Sequence, residues 1–353
     1  MKADTTQQEK YKGSIVPMDE IESNAKTLRQ VSPEITQAQA DVAYNSAPYD
    51  KGFRKSYKLT NSNQGSANAD SNIEITYSFE GQEIATSGLD YVSSSKKITL
   101  SFWVKSSVAQ TFYGYFRTFP GTDMKHSFPI VCSTTDWEYK TVSIVGESNF
   151  AENVHNSFPM NNSRAMVLRI VPFYGTDYTD SGAINNAWQN YSSSNITPVY
   201  ATSWFLTNGA TFELTGVQLE VGDSASDFAH RHITEEQQLC KRYFQHYGGS
   251  ADHWHFGLAR AESNTARAAI SVPVPMRTSP TVASAGGHRT FDRGYNSEST
   301  DTPSVYDSSN RNNNLTDAIY TVDFPGHSLT HNRIYALMSK SSNTSDFTLD
   351  AEL

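Results

Sequence analysis

The feature that most constrains this chain is a recurring two-residue alternation. Ile98, Leu100, Phe102 and Val104 alternate with Thr99, Ser101, Trp103 and Lys105. Successive side chains of a strand point to opposite faces, so this stretch is a half-buried strand with one apolar side. Ile73-Glu74-Ile75-Thr76-Tyr77 has the same period, Tyr57-Lys58-Leu59-Thr60 follows a Gly52-Phe53 turn, and Thr141 to Val145 continues the theme. Met166 to Val171 reads as a strand ended by Pro172. In Phe212 to Val221 the parity changes: Phe212 and Leu214 share one, Val217, Leu219 and Val221 the other. A β-bulge at Thr215-Gly216 would keep all five inward and leave Gln218 and Glu220 outward.

Strands at near-regular spacing, separated by long polar loops, predict a sandwich. The longest of these loops runs from Tyr174 to Ser203. One helix interrupts the pattern. Thr234-Glu235-Glu236-Gln237 forms a capping box, Leu239 with Tyr243 and Cys240 with Phe244 are spaced i,i+4, and Gly248-Gly249 breaks the chain. This predicts a linking helix from Thr234 to about His246. Strands resume at Trp254–Leu258, Ala268–Val274, Ile319–Val322, Ile334–Met338 and Phe347–Leu353, with Gly286–Asn314 expected as an exposed Ser/Asn/Asp-rich loop. The expected fold is all-β: a jelly-roll β-sandwich, a short linking helix and a second, smaller β-sandwich. The expected segments are 1–46, a polar docking arm or linker; 47–230, the jelly roll; 231–248, the helix; and 249–353, the second sandwich.

Composition limits the partners. Twenty-eight Lys and Arg against thirty-seven Asp and Glu give a net charge of −9, which disfavours nucleic acid and anionic lipid. No apolar run approaches a membrane span, and the N-terminus lacks the apolar core of a secretory signal, so membrane insertion and secretion are not expected. Cys132 and Cys240 make no disulfide framework and are expected as thiols of a protein assembled in a reducing cytoplasm.

Several stretches together carry a resemblance. Thr215-Gly216-Val217-Gln218-Leu219-Glu220-Val221-Gly222 runs into Phe228-Ala229-His230-Arg231, then Glu235-Glu236 and Leu239-Cys240-Lys241-Arg242-Tyr243-Phe244. With Ile98–Ser106, Phe53–Leu59, Val274–Val282 and the ending Asp350-Ala351-Glu352-Leu353, this resembles tail-fibre and other virion proteins of tailed phages, many marine or cyanobacterial. In these, a jelly roll similar to carbohydrate-binding modules leads through a helix into a small β-domain. The resemblance implies fold and virion context and transfers no catalytic residue.

Candidate binding residues come from the long loop. Trp188, Tyr178 and Tyr191 cluster in sequence with Asp177 and Asp180, and rings beside carboxylates suit a sugar's apolar and hydroxyl faces. The competing reading packs Trp188 onto the sandwich edge. Asp177 and Asp180 offer oxygens to Ca²⁺, but calcium takes about 6–8 of them, so turn formation is the favoured role. His253 and His255 present an H-x-H pair that could hold an octahedral metal on a threefold axis; packed or exposed histidines are the favoured reading, because nothing else fixes an axis. No G-x-S-x-G, H-E-x-x-H, P-loop or paired CxxC occurs, so no enzyme activity and no cofactor are expected. The expectation is a virion structural protein, a tail-fibre, spike or capsid-fibre subunit assembled in the host cytoplasm. It would form a homotrimer, join other virion proteins through its N-terminal arm and contact host surface glycans. The alternatives are an architectural head-decoration or tail-adaptor protein and, third, a polysaccharide-degrading spike.

Overall fold

A computed structural model of the chain describes residues 35–62, 65–88, 93–119, 121–147, 158–249, 255–285, 287–292, 295–305, 319–339 and 345–351. The expected arm, 1–46, is described only from Ile35. The chain divides into two compact units, one ending at Arg231 and one running from His232 to Glu352.

The first unit is built from β1 (Ile35–Asp41), β2 (Lys55–Asn61), β3 (Asn72–Glu80), β4 (Lys97–Ser106), β5 (Gln110–Thr118), β6 (Met124–Cys132), β7 (Glu138–Val145), β8 (Arg164–Tyr174), β9 (Trp188–Asn190) and β10 (Thr211–Val221). Among the described residues, three short helices accompany them: α1 (Ala47–Asp50), α2 (Gly81–Ala85) and α3 (Ser203–Leu206). The strands form two five-stranded antiparallel sheets, ordered β1-β2-β10-β4-β7 and β3-β8-β5-β6-β9. The alternation in β4 does what its period requires, with Leu100, Phe102 and Val104 fully buried. Phe112 of β5 meets Phe212 of β10 edge-on, centroids 5.0 Å apart, in the core between the sheets. Aromatic burial on this scale is what holds a sandwich of such polar composition together.

Two bulges decide which residues share a face. In β10 the register against β4 shifts between Thr215 and Gln218, with Gly216 at φ +60°. Phe212, Leu214, Val217 and Leu219 are all buried, and Val221 packs on the same core. Gln218 and Glu220 depart from the sequence expectation. They face away from that core yet are buried, because the segment after β10 folds back over them. Glu220 accepts hydrogen bonds from the Ser226 N–H (2.6 Å) and Oγ (2.7 Å), and Gln218 accepts from the Ala229 N–H (3.2 Å). Phe228 and His230 then close on Phe53 at 4.8 and 5.0 Å. A Cβ at Gly216 would lie 2.5 Å from the Phe53 ring. Gly216→Ala therefore combines a left-handed backbone with overpacking and should cost about 2 kcal/mol of this unit's stability by chemical denaturation; an unchanged midpoint would refute the clash.

The second bulge corrects the reading of Pro172. β8 does not stop there but continues to Tyr174. Its pairing with β5 ends at Val171, and its register against β3 shifts between Ile73 and Ile75. The missing proline N–H thus falls at a bulge beyond the last β5 pair, where the ladder does not need it.

The second unit begins with α4 (Ile233–Cys240), followed by β11 (Phe244–Gly249), β12 (His255–Glu262), β13 (Thr265–Ser271), β14 (Thr281–Ala285), β15 (His288–Asp292), β16 (Tyr295–Ser299), β17 (Ser304–Val305), β18 (Ile319–Phe324), β19 (Ile334–Ser339) and β20 (Ser345–Asp350). A three-stranded sheet, β11-β20-β14, and a seven-stranded sheet, β16-β15-β19-β12-β13-β18-β17, enclose its core. Phe347 of β20 packs edge-on to Phe256 and Phe324, centroids 4.8 and 5.6 Å away. The helix is shorter than its i,i+4 pattern predicts. His232, not Thr234, is its N-cap, and it ends at Cys240. Phe244 onward pairs with β20 instead, and Tyr247 stacks on Phe347 at 4.8 Å with the rings 8° from parallel. Strand pairing plus ring burial outweighs one further exposed helical turn.

The stretch expected as an exposed loop, Gly286–Asn314, carries β15, β16 and β17 in its described part. In β15 the polar His288 and Thr290 face inward and Phe291 is exposed, the reverse of the pattern that announces a strand. His288 Nδ1 lies 2.9 Å from His327 Nε2, and His288 Nε2 lies 3.0 Å from the Asp301 carbonyl. A buried hydrogen-bonded pair thus replaces apolar alternation.

Candidate functional site

The bulge at Pro172 has a consequence for the β3-β8-β5-β6-β9 sheet. Arg169 and Tyr174 have opposite parity in sequence but are brought together with Glu74 of β3 and Tyr115 of β5 on the sheet face opposite Phe112 and Phe116, where both tyrosines are buried. Arg169 lies 3.3 Å from Glu74 and donates from Nη1 to the Tyr115 hydroxyl at 2.6 Å. The Tyr115 and Tyr174 hydroxyls are 3.2 Å apart, and the Tyr174 hydroxyl donates to Glu74. Desolvation opposes the charge on Arg169, but Tyr115, Glu74 and Tyr174 together hold its pKa above the ordinary value. Burial pushes the Tyr115 and Tyr174 hydroxyls up, so both stay protonated as donors. The network is nonetheless incomplete. Arg169 Nε and Thr76 Oγ1, on neighbouring residues across β8 and β3, are buried without a protein hydrogen-bond partner.

Towards the end of β5 the same face becomes cationic. Arg117 pairs with Asp123 through Nε at 3.1 Å and lies 3.6 Å over the Tyr191 ring. Arg164 lies 4.1 Å over Phe119, and Arg117 lies 4.7 Å from the same ring. Lys125 is buried and donates to the carbonyls of Asn195 and Ile196, tying the long loop to the sheet; burial pushes its ammonium down to about 8, against the pull of Asp180.

The five loop residues singled out in sequence do not come together. Tyr178 and Tyr191 sit over the polar face: the Tyr178 hydroxyl accepts from Asn72 at 3.2 Å, its ring lies 5.1 Å from Tyr174, and Tyr191 covers Arg117. Trp188 lies at the sandwich edge, 5.2 Å from His126, with its indole N–H donating to the Val145 carbonyl at 2.9 Å. Asp177 and Asp180 are exposed, and Asp180 accepts from the Gly182 N–H at 2.6 Å in a turn. His253 lies outside the described residues, as does the side chain of His255, whose backbone opens β12. Among the described residues, no group of three His, Cys, Asp or Glu is placed to hold a metal, and no helix is long and apolar enough to cross a membrane. Cys132 and Cys240 are in no disulfide.

Glu74, Tyr115, Arg117, Arg164, Arg169 and Tyr174 are not singled out by sequence motif. One signal does exist: Arg169 is the lone charge inside Met166-Val167-Leu168-Arg169-Ile170-Val171, and an arginine held in so apolar a strand needs a buried partner.

No family model and no curated protein matches the chain. Among solved structures, the chain is similar to the CBM22-1 xylan-binding domain of Paenibacillus barcinonensis Xyn10C, at 8% identity over 54% of this chain and 83% of that one, TM-score 0.23. The N-terminal CBM22-1-CBM22-2 tandem domain of the same Xyn10C aligns over 90% of this chain and 89% of its own, at 8% identity and TM-score 0.24. The enzymatically active domain of tailspike protein 4 of bacteriophage CBA120 aligns over 53% of this chain but 19% of its own length, at 12% identity and TM-score 0.26. Likeness of this degree carries no functional argument, which rests on the residues.

Proposed function

We propose that this chain is a non-enzymatic structural protein that binds a glycan on the outer face of the β3-β8-β5-β6-β9 sheet. The observation that carries the reading is the Glu74–Arg169–Tyr115–Tyr174 network, in which Tyr115 and Tyr174 are buried and the Arg169 and Glu74 side chains are partly exposed, with the partly exposed rings of Tyr178 and Tyr191 at its border. Strand-borne donors set hydroxyl positions, and rings supply the apolar contact that a pyranose face requires. The sequence resemblance supports a place in a tailed-phage virion, as a fibre or spike subunit that assembles in the host cytoplasm, trimerises and docks through its N-terminal arm. The rival is an architectural adaptor that binds only virion proteins.

A bacterial glycan array separates the two. The intact chain should retain at least one polysaccharide without releasing fragments from it. Tyr178→Ala with Tyr191→Ala should weaken that binding at least tenfold, measured well below the variant's own melting temperature, since each lost ring contact is worth about 1 kcal/mol. Retention of no glycan at all would favour the adaptor, and release of fragments would favour a degrading spike.

A further inference from the structure

The cationic end of the polar face indicates what kind of glycan suits it. Arg117, Lys125, Arg164 and Arg169 gather there in a chain whose net charge is −9. Three of the four are compensated. Arg117 pairs with Asp123, Arg169 with Glu74, and Lys125 is bonded to two loop carbonyls and lies within electrostatic reach of Asp180. Arg164 makes no ion pair of its own among the described residues: it opens β8 within electrostatic reach of the Arg117 and Arg169 guanidinium groups, and the one carboxylate in reach, Asp123, is already paired to Arg117. The Phe119 ring, stacked at 4.1 Å, holds its planar group in place while the residue stays exposed. Tyr191, Arg117, Phe119 and Arg164 thus form an alternating ladder of rings and guanidinium groups, ended by a cation that shares Asp123 with Arg117 and has no carboxylate of its own.

A guanidinium fixed in one plane, with its edge free, matches a carboxylate through two parallel N–H···O bonds. A neutral sugar leaves the three guanidinium groups of Arg117, Arg164 and Arg169 with the two carboxylates of Asp123 and Glu74, whereas a uronate or other acidic sugar supplies a third beside the ring of Tyr191. We propose, building on the glycan-binding reading above, that the ligand is an acidic saccharide whose carboxylate faces Arg164.

The test presents the full chain to an array of polygalacturonate, polymannuronate, hyaluronan, dextran sulfate, xylan and mannan, with Arg164→Gln beside it. Arg164 is exposed, so this substitution should not disturb folding. The expected result is retention of a carboxylated polymer, weakened at least tenfold by Arg164→Gln and by 0.5 M NaCl (about 0.5 M suffices to shorten the screening length to a few ångströms). Retention of xylan or mannan with no response to Arg164→Gln overturns the acidic assignment and leaves the glycan reading standing. Retention of dextran sulfate alone overturns the carboxylate, and retention of no polymer overturns both readings together.

Discussion

Arg169→Ala should cost the first unit roughly 3–5 kcal/mol, the range for removing one partner of a buried ion pair. The reason is the company left behind. Glu74 keeps only 10% of its side chain exposed and would lose its cation, while the Tyr115 hydroxyl would lose its donor. A carboxylate in that position must either remain charged without compensation or take up a proton. Urea unfolding of the intact chain checks this through the midpoint of the first unit's transition. A loss below about 1 kcal/mol, the scale of an exposed pair, would mean that water already screens the network. Removing both charges, as Glu74→Leu with Arg169→Met, should recover most of the loss, because an apolar pair of similar volume incurs no desolvation penalty. If the double variant is as weak as the single one, packing of the arginine stem matters more than its charge.

Acid should destabilise both units before any carboxylate titrates. His126 in the first unit and His327 in the second are buried, and burial pushes each imidazole down to about 4 from its ordinary 6.5. His288, bonded to His327, moves the same way. A folded state that holds histidine neutral binds fewer protons than the unfolded chain. Stability is therefore complete above about pH 6.5 and falls as the pH drops, the loss from these groups ending near 4. For an imidazole shifted this far the cost is roughly 3 kcal/mol. Melting followed from pH 7.5 to 4.5 should show both transitions declining already between 6.5 and 5, above the range of ordinary carboxylates. His126→Phe should flatten that decline in the first unit alone. Flat melting temperatures down to pH 5 would mean that these imidazoles are protonated in the folded chain.

The framework was legible because its cores obey the two-residue period. The β4 strand, the β10 bulge and the all-β class all follow from which side chains must leave water. The polar half was not legible. Gln218 and Glu220 read as solvent-facing until the segment to His230 folds back on them, a contact that depends on chain return and leaves no period in the sequence. β15 was hidden because histidine and threonine point inward there. The candidate site was hidden for a third reason. Arg169 and Tyr174 share a face only through the Pro172 bulge, and a parity count separates them. Sequence proximity grouped Trp188 with Tyr191, yet β9 turns the indole towards His126 at the sandwich edge, while Tyr191 lies over Arg117. The legible clue was the single arginine in an apolar strand.

The lysine that pins the long loop also divides the labour of the site. Arg169, Tyr115 and Glu74 belong to strands and are fixed by the sheet, whereas Tyr178 and Tyr191 ride on a segment fastened at Lys125 and Ser127. Replacements at exposed positions of that segment outside β9 leave the β3–β8 and β5–β8 ladders untouched. A lineage under pressure from a changing partner can therefore redraw the rim of this surface many times over while inheriting its floor intact.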